Sequence, residues 1–194
     1  MAVMRKIAAT APLLGALWML AGCMPTATSA GLDPNVANPI TAGPQIGRCH
    51  MGGCSWFDIQ SFEVVRETED GALIRLKMRS GSSDHRDNAY PQSSRGVKID
   101  WSPFSEDEHL FCSTRLPAWI ARGESGGWEA DRVDLLLSAG ATEYMHNLYG
   151  HVCHPDGDLE AEGAAERLGY RRYEGEETSF ALTSPEAIFD RLGR

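Results

Sequence analysis

The densest chemistry in this chain is the run Tyr149-Gly150-His151-Val152-Cys153-His154, which places imidazoles on either side of a thiol. With Cys49, His50, Cys54 and Cys112 it offers the thiolate and imidazole ligands of a tetrahedral zinc site. The spacing argues otherwise. The sequence holds no Cys-x-x-Cys pair, no His-Glu-x-x-His and no Cys-x-x-Cys-His haem signature. Cys49, Cys54, Cys112 and Cys153 are an even set, which is equally the framework of two disulfides, with three connectivities open. The redox compartment decides between the two chemistries.

Nucleophilic catalysis would need a serine, a histidine base and an orienting carboxylate. Ser113 with His109 and Asp107, or His85 with Asp84, supply those types, as any polar chain of this length does. No catalytic residue is assigned on this basis. The long polar stretch from Gly81 to Arg95 is of a length that is either functional or disordered, and its His85, Arg86 and Tyr90 are candidate binding residues. His151 and His154 complete that set. The carboxylates Glu106-Asp107-Glu108 and Asp156, Asp158, Glu160 and Glu162 read as solvated acidic faces, and Asp156-Gly157-Asp158 lacks the spacing of a calcium loop. Arg75, Lys77, Arg79 and Lys98 form a basic stripe that cross-strand acids would neutralise.

The compartment is written at the N-terminus. Arg5-Lys6 precede a short apolar run, Ile7 to Leu20, which ends in Leu20-Ala21-Gly22-Cys23. A positive region, an apolar core and small residues are the parts of an export signal. The run is too short to span a bilayer, which takes roughly 20 residues. Its last four residues resemble the lipobox of bacterial lipoproteins. That resemblance implies cleavage before Cys23 and acylation of its thiol, so the membrane is reached through the acyl chains. Each buried methylene contributes about 0.8 kcal/mol, so several chains anchor stably. Met24, in place of an aspartate, implies sorting to the outer membrane, with the domain in the periplasm.

An exported chain favours oxidised thiols. The expected bridges are Cys49–Cys54, closed by the flexible His50-Met51-Gly52-Gly53, and Cys112–Cys153; no metal and no cofactor is expected. The net charge is −9, and removal of the leader takes away Arg5 and Lys6 and no acid. So acidic a chain is a poor partner for nucleic acid, whose binding rests on Lys and Arg against phosphate.

The elements that must position these residues are legible in part. Residues 24–48, with Pro25, Pro34, Pro39 and Pro44, read as a tether spanning roughly 25–30 Å as a coil. Ala72, Ile74, Leu76 and Met78 alternate with basic residues, the period-2 pattern of a strand. A hairpin through Glu69-Asp70-Gly71, with Gly71 at positive φ, would pair Val64 with Leu76, Phe62 with Met78 and Glu63 with Lys77. The parity of Phe57 and Ile59 requires a bulge near Gln60-Ser61. Further strands are expected at Val97–Trp101, around His109–Ser113 and near Trp128. Met145, Leu148, Tyr149 and Val152 recur at helical spacing; Leu159–Leu168 reads as a second helix, and Ser184-Pro185 opens a third.

The expected fold class is α+β: an antiparallel sheet of about four to five strands followed by two to three helices, stapled by disulfides. The expected organisation is a signal peptide over 1–22, a lipidated Cys23 and tether over 23–48, and one globular domain over 49–194. Two functions fit. One is a non-catalytic, membrane-tethered domain that binds a periplasmic protein or envelope component. The other is an envelope hydrolase or metal-binding protein using His, Asp and Cys.

Overall fold

A computed structural model describes residues 43–137, 140–157, 159 and 161–192. The expected leader, the expected lipidation site Cys23 and most of the expected tether lie outside the described residues. The described chain is built on an antiparallel sheet whose strands are β1 (Gln45–His50), β2 (Gly53–Thr68), β3 (Gly71–Asp84), β4 (Asp100–Trp101), β5 (Glu106–Cys112), β6 (Ala118–Arg122), β7 (Trp128–Arg132) and β8 (Ser179–Leu182). The order is a meander, β1-β2-β3-β5-β6-β7-β8, with β4 beside the far end of β3. β3 is long enough to serve two neighbours: Ala72 to Met78 pair with β5, and Gly81 and Ser82 with β4.

This overturns the expectation of four to five strands followed by two to three helices. Among the described residues there are eight strands in the sheet. Of the three expected helices only α1 (Glu143–Cys153) is a full one. The expected Leu159–Leu168 helix is reduced to α2 (Ala164–Arg167). Gly163 sits at φ +68, a left-handed conformation that an α-helix cannot pass through. The segment opened by Ser184 winds as a 3-10 helix over Pro185–Arg191. The strands absent from the sequence reading are β1, β6 and β8, of four to six residues each. β1 begins at Gln45, ahead of the domain boundary expected at 49.

The β2–β3 hairpin is present, with a different register. Thr68 pairs with Gly71, so the loop is Glu69-Asp70 alone, and a bulge falls between Val64 and Arg66. Val64 therefore faces Ile74, Phe62 faces Leu76 and Glu63 faces Arg75. The apolar and charged sets still match, one partner along from the expected ones. The bulge expected near Gln60-Ser61 lies between Ile59 and Ser61.

Each sheet face carries its own core. Ile74, Leu76, Met78, Leu110 and Cys112 face α1, which buries Leu148, Tyr149 and Val152 against them. Leu73, Phe111, Ile120, Ala130 and Phe180 point the other way and are covered by Ile188 of the C-terminal 3-10 segment. Two disulfides brace this arrangement. Cys49–Cys54 joins register partners across the β1–β2 turn, and Cys112–Cys153 ties the end of β5 to the end of α1. Both are the expected pairs, and with all four thiols oxidised the thiolate zinc site has no sulfur ligands left.

Candidate functional site

The β1–β2 turn projects Met51 and Gly52, both at positive φ (+50° and +80°), as a two-residue hairpin of this hand requires. Glycine adopts that conformation without penalty; methionine does so at a cost of about 1–2 kcal/mol. Met51 is 86% exposed, an apolar side chain held out at the apex of a stapled hairpin.

The polar segment after β3 buttresses that apex. His85 N donates to Gly52 O at 2.5 Å, Gly52 N donates to Tyr90 Oη at 3.0 Å, and Tyr90 Oη donates to Asn88 Oδ1 at 2.8 Å. His85 Nε2 lies 2.8 Å from Ser83 Oγ, which also accepts from Trp56 Nε1 at 2.7 Å. A Ser–His pair at this distance has the spacing of a nucleophile and its base. Ser83 is buried, however, and its oxygen receives the indole of the fully buried Trp56, so the pair anchors the loop to the core. Ser83→Ala is expected to leave that indole N–H unsatisfied and to cost about 1–3 kcal/mol. The same change should speed tryptic cleavage after the exposed Arg86, which limited proteolysis would report.

The same loop continues into a cleft of about 870 Å³, within the range of ligand pockets. Gln92, Ser93 and Ser94 line one wall, Pro44, Gln45 and Ile46 a second, and His146, Asn147, Gly150 and His151 of α1 a third. His154 follows at the end of the helix. Asn147 Nδ2 donates to Gly47 O at 2.8 Å and so fastens α1 to the edge strand. Gly47 is required there: a Cβ would sit inside the Tyr144 ring, 2.2 Å from its nearest carbon. Phe57 packs edge-on against both Tyr144 and His151. His154 Nε2 lies 2.6 Å from Tyr170 Oη, next to Tyr149, whose hydroxyl accepts from Ser113 N at 2.9 Å. Burial pushes the Tyr170 phenol up to about 12 and Tyr149 well above its ordinary range, so both act as neutral hydroxyls.

His85 and Tyr90 thus brace the hairpin apex, with exposed Arg86 between them, while His151 and His154 line the cleft; loop 85–94 runs from one region to the other. No protein-family model matches the chain, and neither curated proteins nor solved structures yield a match. Among the described residues no three His, Cys, Asp or Glu side chains cluster as a metal site, and no helix is long and apolar enough to cross a membrane.

Other groups were missed by sequence. Glu108, read as part of a solvated acidic run, is 4% exposed and accepts a hydrogen bond from Trp119 Nε1. Burial raises its carboxyl to about 7, opposed by the Trp119 hydrogen bond and reinforced by Glu106. Parity was the available signal: Glu108, Leu110 and Cys112 alternate onto one strand face. His109 points to the opposite face, 5% exposed and edge-on to Trp128 at 5.2 Å. Burial lowers its pKa, and the nearby Glu186 charge opposes the shift. Within the basic stripe, Arg75 pairs across the hairpin with Glu63 and Arg79 with Asp58 at 2.9 Å, so Glu63 meets Arg75 in place of the expected Lys77.

Proposed function

We propose that this chain is an exported lipoprotein, acylated on Cys23 and held at the outer membrane. Its disulfide-stapled β domain then works in the periplasm as a non-catalytic binding module for a protein or envelope component. The observation that carries the binding reading is loop 85–94, which joins a braced apolar apex at Met51 to a cleft of ligand-binding size. A surface of this kind needs little reorganisation on binding, and the ordering cost that normally opposes association is already met. The export reading is supported by the leader's residue order and by two disulfides, which persist in oxidising compartments. In the Ser83–His85 pair the serine is buried and its oxygen holds the Trp56 indole, which favours a structural role for the pair.

The test uses full-length protein in a diderm bacterium. Cys23→Ala is expected to move it from the membrane fraction to the soluble periplasmic fraction and to abolish incorporation of labelled palmitate. Unchanged fractionation would overturn the anchor. A photo-crosslinking residue at Met51 or at Ser93 is expected to trap the same adduct in living cells. The same residue at Glu124, on the β6–β7 turn, is expected to trap none. Adducts from all three positions alike, or from neither of the first two, would sink the contact surface.

A further inference from the structure

Glu108 is a carboxylate placed where a charge is costly. It lies on the sheet face that α1 covers, alternating with Leu110 and Cys112, and opposite Leu76 in the β3–β5 register. The groups that face it come from three elements. Trp119 of β6 donates one hydrogen bond, Glu106 of β5 adds a second negative charge, and Tyr144 on the first turn of α1 packs, with Trp119, against the core of this face and near enough to feel the Glu108 charge. Among the described residues no Lys, Arg or His forms an ion pair with it. A buried charge without a cation is strongly disfavoured, and such a group takes up a proton instead.

We infer that Glu108 is a proton-operated latch on α1: protonated, it lets the first turn seat against the sheet, and ionised, it loosens that seat. The helix supplies one wall of the cleft through His146, Asn147 and Gly150, so the latch sets how firmly that wall is held. Its functional consequence rests on the cleft being a binding site; the latch itself does not.

The sign follows from linkage. The carboxyl titrates at about 7 in the seated state against 4.5 when exposed. Seating is therefore fully favoured below the lower value, and the advantage is lost as pH rises through the upper one. Tyr144 titrates far above this window and stays neutral throughout, its phenol raised first by burial and then by the charges of Glu108 and Glu106.

Hydrogen exchange on the mature protein, without ligand, tests this. With rates corrected for intrinsic pH dependence, the amides of α1 should exchange about 25-fold faster at pH 8 than at pH 5.5 if opening fully exposes Glu108. In Glu108→Gln, which keeps an acceptor for the indole, the ratio should fall to about twofold or less. The Trp119 indole N–H resonance of the unmodified protein should titrate with a midpoint near 7, a readout that needs no variant. Equal corrected exchange at both pH values, a ratio that survives in Glu108→Gln, or an indole resonance that does not move would each overturn the latch. None of these measurements involves a partner, so their failure leaves the binding reading standing.

Discussion

Replacing Cys112 and Cys153 together by alanine is expected to lower stability by about 4 kcal/mol, whereas the same change at Cys49 and Cys54 costs about 2 kcal/mol. The difference comes from loop length. The first bridge closes a separation of 41 residues and the second a separation of 5. In the chain-entropy account a longer loop removes more freedom from the unfolded chain. The larger value translates into a melting-temperature drop of roughly 8–16 °C for a domain of this size. The location of the long bridge adds to its importance. It fixes the end of α1 to the end of β5 beside Ser113, where Tyr149 completes the seat of the helix. Paired thermal melts of the two double variants decide the matter. Equal losses, or a larger loss from the short bridge, would show that unfolded-chain entropy does not govern stability here.

The two bridges and the centre of α1 could be read from residue types because each has a strong local signal. Met145, Leu148, Tyr149 and Val152 repeat at helical spacing, and the glycines between Cys49 and Cys54 let that loop close tightly. The sheet was under-read for a physical reason. β6 (Ala-Trp-Ile-Ala-Arg) and β8 (Ser-Phe-Ala-Leu) are too short to show an alternation above noise, and pairing with neighbours makes them strands. β1 hides in a proline-containing stretch, and the Gly47 that looked like linker composition is the residue that admits the Tyr144 ring. The hairpin register slipped for a similar reason: a bulge between Val64 and Arg66 conserves facial matching while changing every partner.

The candidate site divides the same way. His85, Arg86, Tyr90, His151 and His154 were legible as polar groups in places where strands and helices end. Their division between the hairpin apex, braced by His85 and Tyr90, and the cleft, lined by His151 and His154, was not, because it depends on the edge strand and on the path of loop 85–94. Glu108 was the more recoverable omission. Its parity with Leu110 and Cys112 outweighs the two acids beside it, since on a strand the face and not the neighbour decides burial.

Gly71→Ala is expected to cost about 3–5 kcal/mol, a large fraction of a typical domain's stability. Two effects add. Gly71 has φ +148, a backbone conformation that side-chain-bearing residues rarely adopt. A Cβ built there would also stand 2.5 Å from Cys112 O and 2.8 Å from Ser113 Cβ. Neither obstacle can yield cheaply. Cys112 is held by its disulfide, Ser113 N by Tyr149 Oη at 2.9 Å, and Ser113 Oγ by Asp70 O at 2.6 Å. The hairpin turn, β5 and α1 therefore meet at a point where only a hydrogen fits. Gly126→Ala provides the control, because Gly126 is also at positive φ (+78°) but a Cβ there meets nothing within 4 Å. That variant should lose only the backbone term, about 1–2 kcal/mol. Urea denaturation of both separates the contributions: the excess loss at Gly71 measures the collision with Cys112 and Ser113. Similar midpoints for the two would mean that the β2–β3 turn does not press on the end of β5, and that Tyr149 and the long bridge stabilise a looser junction.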